Sequence, residues 1–210
     1  MVIGFWAMLL ATIVGVALGI AGALRRNGFT DYAAGIVGVT GIAMPLFVLA
    51  PLMQVFFALR LDWFPVGGWN DGWRSVVLPV VALALPNIAY ISRLTRTAMV
   101  ETLRDNYIRT ARAKGIGPAR VIWHHAMTGA LLPVIAYLGP ATAATITGSI
   151  LIETIFALPG IGRHFVDAAL NRDYPLVMGI TITYGGFLIV FNIVTDLIRG
   201  WLDPRVRDGG

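Results

Sequence analysis

Along this chain the polar positions crowd into short stretches. Five long runs between them carry no charged residue: Val2–Leu24, Ala33–Leu59, Val76–Ser92, Ala126–Ile152 and Pro175–Thr195. None of the five alternates with a period of two, so barrel strands of about ten residues of alternating polarity are not predicted. A helix climbs 1.5 Å per residue and needs about 20 apolar residues to cross a hydrocarbon core about 30 Å thick. Four runs meet that length. Val76–Ser92 meets it if the helix continues through Arg93 and Arg96, whose long side chains can return their charges to the interface. The pattern predicts an all-α, polytopic transmembrane bundle of five spans, one domain over residues 1–210. The chain starts inside its first run without a polar flank. That run ends in Arg25-Arg26 and not in the cleavage site of a signal peptide. The expectation is a longer protein in which a further span precedes Val2.

Composition sharpens this reading. Apolar residues make up 57% of the chain and charged residues 13%, with a mean hydropathy of +0.76. Soluble domains carry about 25% charged residues, so this chain cannot cover a water-facing surface in the ordinary way. A disordered chain is poor in apolar residues and is excluded as well. There is no cysteine, which removes disulfides, thiolate metal sites and thiol catalysis. Of the sixteen lysines and arginines, twelve fall on one set of connections and four (Arg60, Arg74, Arg163 and Arg172) on the other. The positive-inside rule puts the twelve, with the C-terminus, in the cytoplasm and the start of the chain outside. The net charge of +5 follows from that topology and from attraction to the anionic inner leaflet, so nucleic acid is not an expected partner. Trp63, Trp69 and Trp73 mark the outer interface, where amphipathic rings collect.

The longest charged connection, residues 100–120, holds the most information. Val100, Leu103, Tyr107 and Ala111 recur at helical spacing and form one apolar stripe. Lys114 suits a last turn, and Gly115 suits the stop after it. Gly117 breaks the chain again, and Pro118 suits the first turn of a new helix. The segment reads as helix, glycine turn, helix. Ala111, Ala113, Gly115 and Gly117 keep its centre small, which would let a partner's backbone come close. On periodicity alone, a docking helix and an amphipathic helix lying on lipid headgroups are equally good readings.

The residues themselves separate the two. Tyr107-Ile-Arg-Thr-Ala-Arg-Ala-Lys-Gly115, followed by His125-Ala126 and Leu131-Leu132-Pro133, resembles the cytoplasmic loop of ABC-importer permeases. More narrowly it resembles the B-type membrane subunit of the dipeptide/oligopeptide permease family. The stretches Gly148–Gly162, Ala168–Pro175 and Asp203-Pro204-Arg205-Val-Arg207 continue the likeness, which covers essentially the whole chain. Two departures from the general importer loop stand out. Arg109-Thr110-Ala111 occupies the place of Glu-Ala-Ala, and Leu132-Pro133 lies farther from Gly115 than the general pattern has it. Both are typical of the peptide-permease branch.

The resemblance implies a fold, partners and a mechanism. A sister permease would pair with this chain around a translocation path. Two cytoplasmic ATPase subunits would grip the coupling loop, formed by Tyr107, Arg109, Thr110, Ala111, Arg112, Ala113, Lys114, Gly115, Ile116, Gly117 and Pro118. An external substrate-binding protein would deliver a peptide. The setting would be a bacterial cytoplasmic (inner) membrane. ATP and Mg2+ would belong to the ATPase partners, because this chain has no phosphate-binding loop: its only lysine, Lys114, precedes Gly115 and not Ser or Thr. No catalytic, cofactor-binding or metal residue is assigned to the chain itself.

Polar residues inside the runs give the remaining candidates. Thr142, Thr145 and Ser149 fall on about one helical face and, with Met44, are the predicted lining of the path. Gln54, Asn87 and Asn192 could serve as lining or as helix contacts. Glu153, at the outer end of its run, is predicted to pair with Arg163 or Arg172 or to act as an outer gate. The turn with Pro159, Gly160 and Gly162, a short helix near His164–Leu170, and Asn171, Arg172 and Asp173 would form an external scoop within 153–174 that touches the binding protein. His124-His125 reads as interfacial beside Trp123 and not as a metal site. The alternatives are an importer of nickel or another small solute in the same family, a membrane-embedded enzyme, and a passive channel. The enzyme would need acids or histidines at one depth, and Glu153, Asp196 and the histidine pair lie at different depths. The channel would have no use for the Tyr107–Arg120 segment.

Overall fold

A computed structural model of the chain describes residues 2–24, 28, 44–147 and 150–202. Arg25, Arg26, Ser149, the Asp203–Arg207 signature and the first part of the second predicted span lie outside the described residues. The elements are α1 (Val2–Leu24) and α2 (Leu46–Met53, running on as the π-helical turns Gln54–Arg60). Then come α3 (Arg74–Thr102), α4 (Asn106–Ala113) and α5 (Pro118–Arg120, π-helical Val121–Ala126, then Met127–Thr147). The last are α6 (Ile150–Ile155), α7 (Ile161–Leu170) and α8 (Tyr174–Leu202). No strand occurs among the described residues. Four helical runs are long and apolar enough to cross a membrane: α1, α3, α5 with α6, and α8. The shorter apolar helix Leu46–Arg60 is the described end of the second predicted span. The run predicted over Val76–Ser92 becomes a helix of 29 residues, as long as α8, because α3 continues past Arg93 and Arg96 to Thr102.

Helix α3 is central, with most of its apolar length buried, whereas α8 is buried over almost none of its length. Lipid tails are as apolar as leucine, so membrane helices are held by close packing and not by the hydrophobic effect. The buried face of α1 shows this plainly. It consists largely of Gly4, Ala7, Ala11, Gly15, Gly19, Gly22 and Ala23, spaced three or four apart. The opposite face presents Phe5, Trp6, Leu9 and Ile13 outward. A Cβ on Gly15 would stand 2.8 Å from Ile91 Cβ, so α1 lies almost backbone to backbone on α3. At Gly4 a Cβ would meet Ile146, which ties the start of α1 to the far end of α5. Gly139 of α5 receives Thr195 and Asn192 of α8 in the same way. Asn192 therefore serves helix contact.

The two ends of the bundle carry different equipment. At one end Gln54 donates from its amide to Val66 O (2.7 Å) and Ile155 O (3.0 Å), and Gly68 N–H donates to Phe156 O (2.8 Å). These bonds pin the 61–73 connection against the end of α6, and Trp63, Trp69 and Trp73 stand exposed there. At the other end Ile20 and Ala23 of α1, Met99 of α3, α4 and the start of α5 share a second apolar cluster. The basic segment Arg104–Arg120 and the arginines at 60, 74, 163 and 172 thus belong to opposite ends.

Candidate functional site

The segment after α3 is built by local backbone chemistry. The last turn of α3 closes with Leu103 N–H on Met99 O, and Asp105 N–H then donates to Thr102 O. Asp105 is extended (φ −63°, ψ 152°), and its carbonyl accepts from Ile108 and Arg109 to start α4. At the other end Gly115 takes φ +77°, a conformation open to glycine without strain. Gly115 N–H donates to Arg112 O (3.0 Å) and Ile116 N–H to Ala111 O (3.3 Å), the paired bonds of a Schellman stop. Gly117 is extended, and Pro118 opens α5 as expected.

Only Ile108 and Ala111 of α4 are buried. They sit in a pad with Met99, Val121, Ala126 and Ala130, and Leu103 and Ile116 close its edges. Tyr107 is 46% exposed, so the buried stripe runs through Ile108 and not through Tyr107; the Tyr107 hydroxyl reaches back to His125 O at 3.4 Å. Arg109, Thr110, Arg112, Ala113, Lys114, Gly115, Gly117 and Pro118 are exposed and Ile116 is half-buried. A Cβ on Gly115 or Gly117 would meet nothing within 4 Å. Within this chain Gly115 is therefore required by its φ and not by a close approach, while the small Ala111 is what lets α4 lie against the bundle. The result is a short basic helix fixed to two membrane helices, with its polar face bare.

A second feature lies midway along the spans. Between the start of α2, α3 and α5 is a groove of about 420 Å³, its wall including Leu83, Pro86, Asn87, Tyr137, Pro140 and Thr145. The Asn87 amide donates to Leu83 O (3.1 Å) and Thr145 Oγ1 (3.2 Å). The Tyr137 hydroxyl donates to Asn87 Oδ1 (2.9 Å), and its ring stacks on Tyr90 at 4.4 Å. Thr145 Oγ1 in turn contacts Met8 Sδ at 3.3 Å. Of the predicted lining, Thr145 is in this groove. Met44 precedes its rim residue Leu46 by two positions, Thr142 is half-buried and is not in the wall, and Ser149 is outside the described residues. Tyr137 was not a candidate from the sequence, since a lone tyrosine in an apolar run carries no signal of what it touches.

At the turn between α6 and α7 Glu153 is 5% exposed, and its Oε2 accepts the Gly162 N–H at 2.8 Å. It thereby caps α7 from the preceding helix, where the N-cap residue Gly160 has no side chain to do so. Arg163 and Arg172, its predicted partners, are both exposed. A Cβ on Gly160 would fall onto the Glu153 carboxylate, so the glycine makes the room that the cap occupies. Pro159 precedes this turn, between the buried Leu158 and the cap. Asn171 ends α7, Arg172 adopts φ +58°, and Asp173 Oδ1 accepts from Leu176 N–H (3.2 Å) to start α8. All three are exposed. Gly160→Ala is expected to destabilise the protein by about 1–3 kcal/mol, the cost of orphaning a buried polar group. Glu153→Gln keeps an acceptor oxygen and is expected to cost less. Thermal melting of the detergent-solubilised protein checks both, and an unchanged midpoint for Gly160→Ala would remove the capping role.

Known proteins resemble this chain over nearly all of its length. The family described as binding-protein-dependent transport system inner membrane component matches residues 15–208. The oligopeptide transport system permease protein OppB of Salmonella typhimurium is 50% identical over 206 residues, 98% of this chain and 67% of that protein. The dipeptide transport system permease protein DppB of Bacillus subtilis is 48% identical over 205 residues, 98% of this chain and 66% of that one. The chain thus spans about two thirds of the length of these relatives. Among solved structures, an inward-facing conformation of the MetNI methionine ABC transporter superposes with a TM-score of 0.78. It is 14% identical and covers 96% of this chain and 92% of that one.

Proposed function

We propose, given that this chain belongs to the family of binding-protein-dependent transport system inner membrane components, that it is the permease subunit of an ATP-driven peptide importer and that α4 is its coupling helix. The peptide class is supported by the oligopeptide and dipeptide permease relatives. The groove supports it too: among the described residues its wall holds amide, phenol and hydroxyl groups and no carboxylate or imidazole, which suits a peptide better than a nickel ion, whose usual ligands are imidazole and carboxylate groups. The single observation that carries the coupling role is the α4 segment. Its apolar side is locked to α3 and α5 while its arginines and Lys114 face outward. A helix held in that way transmits a push to both membrane helices.

In this reading a sister permease closes the path from the other side. Two ATPase subunits, which hold ATP and Mg2+, move α4 from the cytoplasm, and an external binding protein delivers the peptide to the end of the bundle that carries α7. The subunit lies in the bacterial inner membrane with Val2 toward the outside and α4 and the end of α8 toward the cytoplasm. The absence of cysteine makes a single introduced one a clean reporter. Arg112→Cys is expected to cross-link to an ATPase subunit and to resist a membrane-impermeant thiol reagent in intact cells. Trp73→Cys is expected to react with that reagent. Labelling of Arg112→Cys from outside, or its failure to cross-link in the assembled transporter, would overturn the assignment.

A further inference from the structure

The groove between α2, α3 and α5 has a donor and acceptor balance that the reading above does not use. Both hydrogens of the Asn87 amide are spent, on Leu83 O and Thr145 Oγ1. The Tyr137 hydroxyl hydrogen is spent on Asn87 Oδ1. What remains toward the groove is acceptor capacity: the second lone pair of Asn87 Oδ1 and those of Tyr137 Oη. Pro86 and Pro140 in the wall carry no N–H and so add no donor to it. Asn87 and Tyr137 are each only partly buried, and both belong to the groove wall. The stack on Tyr90 fixes the phenol ring in place. No charged side chain is in the wall among the described residues.

We propose that this groove is a contact site for the peptide in transit, in which Asn87 Oδ1 and Tyr137 Oη accept hydrogen bonds from backbone amide N–H groups. The proposal rests on the peptide-importer reading and names the chemistry by which the path would hold its cargo. A wall that only accepts selects for N–H donors. A wall without a carboxylate favours neutral amides over the terminal ammonium, whose charge would stay uncompensated in a region of low dielectric. Backbone amides are common to all peptides, so such a site would tolerate any side chain. The volume of about 420 Å³ falls in the range of small-ligand sites.

The test uses the complete transporter in proteoliposomes, with its ATPases, sister permease and binding protein. Uptake is compared for a tripeptide, its backbone N-methylated analogue and its N-acetylated analogue. The variants are Asn87→Leu and Tyr137→Phe. The binding protein is the same throughout, so its own preferences cancel in the ratio of variant to wild type for each peptide. Tyr137→Phe keeps the ring and the Tyr90 stack, and so remains informative if Asn87→Leu assembles poorly. For the parent and acetylated peptides the variants are expected to slow uptake by about three- to tenfold, the worth of one hydrogen bond. For the methylated peptide the ratio is expected to stay near one. Equal slowing of all three peptides would reduce the network to helix packing and overturn the proposal. Escape of the acetylated peptide alone would assign the site to the terminal ammonium and overturn the amide assignment. A wild-type complex that imports no peptide would instead reject the importer reading on which the proposal stands.

Discussion

Ile108→Asp is expected to reduce import by about 100-fold, the equivalent of about 3 kcal/mol, while ATP hydrolysis by the assembled complex continues without its response to substrate. Helix α4 has eight residues, too few to be stable in isolation. It is held by its Schellman stop, by its tethers to α3 and α5, and by the pad in which Ile108 is completely buried among Met99, Ala111, Val121 and their neighbours. A carboxylate there has no cation to meet within the pad, and burying an unpaired charge costs several kcal/mol. The pad opens instead, and α4 keeps its place in the chain but loses its angle to the membrane helices. Its exposed basic face is untouched, so gripping by a partner survives and transmission does not. Uptake and ATPase measured on the same proteoliposomes separate the two. Ile108→Val, which removes one methylene, is expected to cost about 1 kcal/mol and to leave most of the transport. Uptake by Ile108→Asp near the wild-type rate would show that α4 is not a lever.

The spans were legible because the bilayer sets their length. Uncharged runs of the required size mark α1, α5 and α8 whatever their partners, and α3 reaches that size because Arg93 and Arg96 sit within the helix without ending it. The stop at Gly115 and the restart at Pro118 were legible for a different reason: both are backbone events decided within five residues. One member of the apolar stripe was misplaced, Tyr107 for Ile108, while Val100, Leu103 and Ala111 do lie on the pad, and the cause is physical. Val100 belongs to α3, and the turn at 103–105 resets the helical phase before Asn106. A period counted across two helices drifts, so Tyr107 took the place that Ile108 occupies.

The groove was not legible. Asn87 meets Tyr137 and Thr145 across separations of 50 and 58 residues, and nothing local to any of the three specifies the others. Glu153 is an intermediate case. A buried carboxylate suggests a cation, but backbone N–H groups at a helix start are equally good partners, and here one of them is used. The signal was present in Gly160 and Gly162, whose missing side chains leave the space that the carboxylate fills.

Gly19 shows how narrowly the bundle is drawn together, and Gly19→Ala is expected to lower the amount of assembled subunit severely, with Gly19→Leu abolishing it. A Cβ at this position would stand 2.5 Å from Thr95 Cβ and 2.6 Å from Ser92 O. The second contact is main chain, which cannot rotate aside, so α1 and α3 would have to separate. Separation would also loosen Gly15 against Ile91, one turn away on the same seam. Thr95 is fully buried there and its hydroxyl has no hydrogen-bond partner among the described residues. Shape rather than polar bonding therefore holds this part of the seam. Without a hydrophobic force to press two membrane helices together, lost contact is not recovered by burial elsewhere. Overpacking of this kind costs about 1–3 kcal/mol for a methyl group and more for a leucine. Gly129→Ala provides the comparison. Its Cβ would meet the Thr102 side chain at 3.2 Å, a group that can shift by a few tenths of an ångström, and a small effect is expected. Membrane abundance should rank wild type, Gly129→Ala, Gly19→Ala and Gly19→Leu in that order, and the melting midpoint of the purified protein should rank the first three in the same order. Equal behaviour of the two alanine variants would mean that α1 does not rest on α3 as closely as the seam requires.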